Sequence, residues 1–152
     1  YRRSMYTFIR RTSPPPYLIT FDATDRAVCT VNRERTNTPL QALILMNDPQ
    51  FVEAAKVLAV RMQKEGGSVL EDQIQFAFRS LCGRFAAVDE LKMLQDQYEK
   101  DYVKFQNHFS DKIELLNVGA FDLKPEIDKT KTAALTMVAN TIMNFDEFYM
   151  KR

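Results

Sequence analysis

The sequence predicts a mainly α-helical protein: a bundle of about five helices preceded by a long, irregular, arginine-rich segment. Three observations carry this. From residue 38 onward, apolar residues recur at three- and four-residue steps over stretches of helical length. Start and stop signals at Thr38-Pro39, Asp48-Pro49, Gly66-Gly67 and Gly83 punctuate those stretches, as the turns of a bundle require. Residues 17–37, by contrast, follow the run Pro14-Pro15-Pro16 and show no helical period.

Residues 1–11 read as the end of a helix, with Met5, Phe8 and Ile9 on one side. Ser13-Pro14-Pro15-Pro16 stops it, because proline lacks the amide donor and clashes with the preceding turn. Tyr17–Phe21 and Val28–Val31 are expected as short extended pieces. Thr38-Pro39-Leu40-Gln41 is a capping box with proline at the first helical position, opening a short apolar helix through Leu43, Ile44 and Met46. Asp48-Pro49 starts the next helix, whose buried stripe is Phe51, Ala55, Leu58 and Met62. Ser68 to Glu71 reads as a second capping box, leading to a helix with Ile74, Ala77, Phe78 and Leu81 inward and Gly83 closing it. Asp89 and Glu90 suit the positive end of a fourth helix, with Leu91, Leu94, Tyr98, Tyr102 and Phe105 as its stripe. One or two turns follow over 111–117. Pro125-Glu126 is expected to open the last helix, with Ile127, Ala134, Leu135, Val138, Ile142 and Phe145 inward. Residues 1–37 are expected to pack on the bundle of residues 38–152, the two forming one domain.

Composition fits that architecture. The 152 residues are 45% hydrophobic and 27% charged, the balance of a globular domain large enough for one core. No apolar run approaches the roughly 18 residues of a membrane span, and no signal peptide stands at the start. The opening Tyr1-Arg2-Arg3 lacks an initiator Met, so a piece of a larger protein is expected. Net charge is +1, against general nucleic-acid binding. The charge is uneven: residues 1–35 hold seven Arg, no Lys and three acids, a net of +4, leaving −3 for the remainder. Cys29 and Cys82 allow one bridge or two free thiols.

The usual chemical motifs are missing. There is no glycine-rich phosphate loop, no Cys-x-x-Cys and no haem-attachment motif, so the sequence implies no cofactor. His108 falls at a helix end among Gln106, Asn107 and Ser110, without partners for catalysis or zinc. Neither cysteine has an adjacent base. Asp96 to Lys104 reads as a solvated helix face. The exception is residues 22–37, which gather Asp22, Asp25, Arg26, Arg33, Glu34, Arg35 and Asn37 beside a helix N-terminus. Guanidinium forks hold carboxylates, sulfates or phosphates through two bonds. Arg26, Arg33, Glu34, Arg35 and Asn37 are therefore candidate ligand-binding residues for an anion, backed by the amides of residues 38–40. The structural alternative is a clamp, in which Asp, Asn and Arg side chains satisfy the backbone of an irregular loop.

Several runs carry a resemblance: Tyr1–Phe8, Arg11–Pro16, Thr20–Ala23, Cys29–Val31, Arg33–Leu43 and Asn47–Ala55, then Phe78-Arg79, Gly83-Arg84, Val138–Thr141 and Asn144–Phe148. From first residue to last, the chain resembles the planctomycete-type domain of unknown function 1553, in its C-terminal part. The resemblance implies a position at the end of a large exported bacterial protein, after a companion domain and often a cytochrome-c-like one. It implies a periplasmic or cell-surface location, upstream domains of the same polypeptide as partners, and a neighbourhood of sulfatase and glycan-handling genes. It brings no catalytic residue. The expected roles are a non-catalytic structural or interaction domain, or part of an anionic-glycan site shared with an upstream domain.

Overall fold

The computed structural model describes residues 6–10, 12–24, 26–32, 34–125 and 127–150. These hold eight helices and no strand: α1 Pro16–Thr20, α2 Pro39–Asn47, α3 Pro49–Glu65, α4 Leu70–Cys82, α5 Val88–Asn107, α6 Phe109–Leu116, α7 Lys129–Met143 and α8 Asp146–Tyr149. The mainly helical class agrees with the sequence. The three beyond the expected five are short: α1 and α8 span five and four residues, less than a periodic pattern needs to show itself, and α6, expected as one or two turns over 111–117, spans eight. By contact the chain divides into two compact units, Tyr1–Ile44 and Leu45–Arg152.

In the first unit, Pro16 stands at the first helical position of α1, and Thr20 Oγ1 donates to Pro16 O at 3.0 Å. Tyr17–Thr20 are thus helical, not extended: the proline run sets the φ of a first turn, where its missing amide costs nothing. Val28 and Val31 lie in bends rather than a strand. Residues 6–10 hold no α-helix; Met5 lies outside the described residues, and Phe8 is exposed.

In the second unit, α7 is the central helix, packed chiefly against α3 and α5, with α4, α6 and α8 at its sides. Ala133, Ala134, Leu135, Val138, Ala139 and Ile142 are fully buried; the alanines let neighbours approach closely. Thr132 and Thr136 are buried there as well, their hydroxyls donating back one turn to Asp128 O and Thr132 O, each at 2.7 Å, the usual way such residues satisfy themselves inside a helix. The core also takes Ala55, Leu58 and Met62 of α3, Ile74, Ala77 and Phe78 of α4, and Leu91 and Leu94 of α5. Phe105, Leu116 and Ala133 form a second, smaller cluster.

Two helix starts differ from expectation. Helix α4 begins at Leu70 after Val69, which offers no side-chain cap; Glu71 and Asp72 sit in its first turn, where the helix dipole favours them. Helix α7 begins at Lys129. Asp128 caps it by accepting from the amides of Thr130 at 2.9 Å and Lys131 at 3.1 Å, and a carboxylate there competes better than the proline at 125. Glu126 lies outside the described residues. Asp48 caps α3 as expected, accepting from Gln50 N at 2.8 Å, and Gly83 closes α4 with φ 77°, the left-handed conformation that glycine adopts without a Cβ clash.

Candidate functional site

The polar segment is organised by Asp22, Thr36 and Gln41. Asp22 has φ 56°, a conformation aspartate tolerates better than most residues. Its carboxylate accepts from Thr36 N at 2.8 Å and from Thr36 Oγ1 at 2.9 Å. Gln41, only 1% exposed, donates from Nε2 to Thr20 O at 2.8 Å and to Thr36 Oγ1 at 3.2 Å. Its Oε1 accepts from Thr38 N at 3.0 Å, and Gln41 N lies 3.4 Å from Thr38 Oγ1. This is the reciprocal capping box expected at Thr38, extended into a staple that ties α1, the bend at Asp22 and the start of α2 together.

Of the residues expected to bind a ligand, Arg26, Glu34, Arg35 and Asn37 are exposed. Arg35 and Asn37 each take part in an interaction of their own. Arg33, like Asp25, lies outside the described residues. The staple therefore gathers Thr20, Asp22, Thr36, Thr38 and Gln41, mostly uncharged neighbours of the predicted set. The amide of Thr38, one of those expected to back an anion, donates to Gln41. Gln41 was legible as a capping residue. Its reach across to Thr20 was not, because local spacing carries no information on a contact 21 residues away.

The second unit contains polar residues that sequence reasoning missed. Glu53 and Lys56 occupy one face of α3, three residues apart. Lys56 is 0% exposed. Its ammonium donates to Leu116 O at 3.0 Å, Val118 O at 2.7 Å and Phe121 O at 2.8 Å, which uses all three of its protons. Glu53 Oε1 accepts from Ala120 N at 3.0 Å and Phe121 N at 2.7 Å. Burial lowers the Lys56 pKa from its ordinary value, while the charges of Glu53 and Asp122 raise it. Gly119, with φ 82°, passes so close that a Cβ there would collide with the Glu53 carboxylate. Donors so fully used make Lys56 a fastening for the connection between α6 and α7, not a nucleophile.

A third cluster closes the turn between α4 and α5. Arg84 forks to Glu90, with Nη1 to Oε2 and Nη2 to Oε1 both at 2.8 Å. It also reaches Glu147 of α8 at 2.9 Å and lies over the Phe78 ring at 4.7 Å. Hydrogen bonding to Arg84 holds the Glu90 carboxyl down to about 2. Cys29 and Cys82 are free thiols; burial, then the charge of Glu147, pushes the Cys82 thiol up. His108 is exposed, its Nδ1 3.1 Å from Lys104 O. Along the supposedly solvated face Asp96–Lys104, Asp101 departs from the pattern: burial raises its pKa, and its Oδ2 is buried without a hydrogen bond. Among the described residues no group of three or more His, Cys, Asp or Glu is placed to hold a metal ion, and no helix is long and apolar enough to cross a membrane.

A family model, PSD1: Protein of unknown function (DUF1553), matches residues 1–98. The chain belongs to this family. No curated protein and no solved structure matches it. The matched span contains the whole staple, Glu53, Lys56, Arg84 and Glu90. The loop that Lys56 holds and the central helix α7 lie beyond it, as do the similarities at 138–148.

Proposed function

We propose that this chain is a non-catalytic structural or interaction domain of an exported cell-envelope protein, and that residues 6–44 are its docking segment. One observation supports this reading above the others. Among the described residues of the first unit, no hydrophobic side chain is buried and only Gln41 is. Tyr6, Phe8, Ile19, Val28 and Val31 are exposed, with Leu40 and Leu43 on the first turns of α2. A small unit stapled by hydrogen bonds and covered in apolar side chains is suited to gain its core from a partner. Exposed Arg10, Arg26 and Arg35 stand on the same unit, so an apolar surface edged with carboxylates complements it. A companion domain of the same polypeptide, as the family resemblance implies, is the partner assigned here.

Cys29 stands exposed between Val28 and Val31 and reports directly on this surface. Maleimide labelling of Cys29 is expected to slow at least tenfold in the parent polypeptide compared with the isolated chain, with Cys82 as internal reference. Equal labelling rates in both would remove the docking reading.

The rival is the anionic-glycan site, favoured by the exposed guanidiniums of Arg26 and Arg35. A melting midpoint raised by a sulfated glycan at constant ionic strength, and lost in Arg35→Ala, would replace docking with ligand binding.

A further inference from the structure

The buried Lys56 ammonium sits in an arrangement that would suit a free cation. Three carbonyl oxygens within a six-residue stretch, those of Leu116, Val118 and Phe121, converge on one point at 2.7–3.0 Å. The Phe121 ring faces the same point at 5.9 Å. The loop's amides at Ala120 and Phe121 donate instead to Glu53, one turn before Lys56 on α3. The loop is thus polarised, amides toward a carboxylate and carbonyls toward a positive charge. Rings of backbone carbonyls replacing a hydration shell are how proteins hold monovalent cations, and a ring face adds to the attraction.

We propose that the connection between α6 and α7 is a monovalent-cation nest, which the chain fills with its own tethered ammonium in place of a bound ion. Lys56 therefore does for this loop what a bound potassium ion or a primary alkylammonium would do. Two consequences follow. The loop's conformation is set by cation occupancy, so removing the ammonium leaves three convergent carbonyls without the positive charge they face. Shortening the side chain, rather than merely neutralising it, opens the nest to an added cation.

The test uses the full chain in choline chloride, whose cation is too large for the nest, with potassium chloride or n-propylammonium chloride substituted at constant ionic strength. Lys56→Ala is expected to melt well below the wild type in choline. It should regain several degrees in potassium or n-propylammonium, with restored exchange protection at the Ala120 and Phe121 amides. The wild type should not respond, and neither should Lys56→Met, whose side chain still fills the passage. If Lys56→Ala does not fold in choline, recovery of its helical circular dichroism on refolding in either salt supports the nest, and no recovery overturns it. A midpoint that responds equally in all three proteins, or in none, also overturns it. A response to n-propylammonium alone would restrict the nest to ammonium groups, and the claim for potassium would fall.

Discussion

The two units of this chain are held in opposite ways. Among its described residues the second buries twenty-one hydrophobic side chains, and a buried carboxylate and ammonium fasten the connection between α6 and α7. Among its described residues the first buries only the Gln41 side chain, and Tyr6, Phe8, Ile19, Val28, Val31, Leu40 and Leu43 stand exposed. Burial of apolar surface contributes about 25 cal/mol per Å², whereas an intramolecular hydrogen bond contributes about 1 kcal/mol net. The second unit thus has a large, non-directional source of stability. The first has a few directional bonds, which set geometry more than they resist unfolding. A segment of fixed shape but little stability of its own is what an interface with a partner requires.

The largest effect that would sharpen this contrast is expected at Phe78. It is fully buried and meets the Phe145 ring edge-on at 5.3 Å, so Phe78→Ala should cost about 3–5 kcal/mol. Urea denaturation followed by helical circular dichroism measures it. A loss below about 1 kcal/mol would mean that the second unit is not core-dominated. Gly119→Ala comes next. It forces an L-residue into the left-handed region and pushes a Cβ against Glu53, and should cost about 1–3 kcal/mol, with loosened exchange protection at Ala120 and Phe121.

In the first unit the corresponding change is Gln41→Ala. It removes the donor to Thr20 O and Thr36 Oγ1 and the acceptor for Thr38 N. The expected loss is about 1–3 kcal/mol, read locally as faster amide exchange at Thr36 and Thr38. Unchanged exchange there would show that something other than the staple holds the segment, and the comparison would break on the first unit's side.

What was legible in the sequence follows the same division. Helices α3, α4, α5 and α7 were visible because long apolar stripes repeat at helical spacing. The boxes and caps at Thr38, Asp48 and Gly83 were visible because they rest on near neighbours. The short helices α1 and α8 escaped, being too brief for an apolar pattern to repeat. Lys56 escaped for a different reason: a lysine three residues after a glutamate reads as a surface pair, and only the loop arriving 60 residues later reveals its burial. Asp22 was legible only as one member of a polar segment, either an anion site or a clamp of Asp, Asn and Arg side chains. Among the described residues its carboxylate takes the backbone amide and the hydroxyl of Thr36 together, and no spacing rule anticipates that.

The smallest effect concerns Arg84, which tests whether electrostatics add to the second unit's core. The Glu90 carboxyl is held at about 2, below its ordinary 4.5, so its folded form prefers the charged state. A lowered carboxyl contributes stability that is fully present above its unfolded value, near pH 4.5. That contribution is lost as the pH falls toward about 2. The side chains of Arg84 and Glu90 are 40% and 25% exposed, so solvent screening limits the pair to about 0.2–1 kcal/mol. At roughly 2–4 °C per kcal/mol for a chain of this size, Arg84→Gln should lower the midpoint by no more than a few degrees at pH 6. The gap to the wild type should narrow steadily below pH 4.5 and nearly close by pH 2. A gap that persists unchanged at pH 2 would assign the Arg84 contribution to its stacking on Phe78, making that guanidinium part of the apolar core it covers.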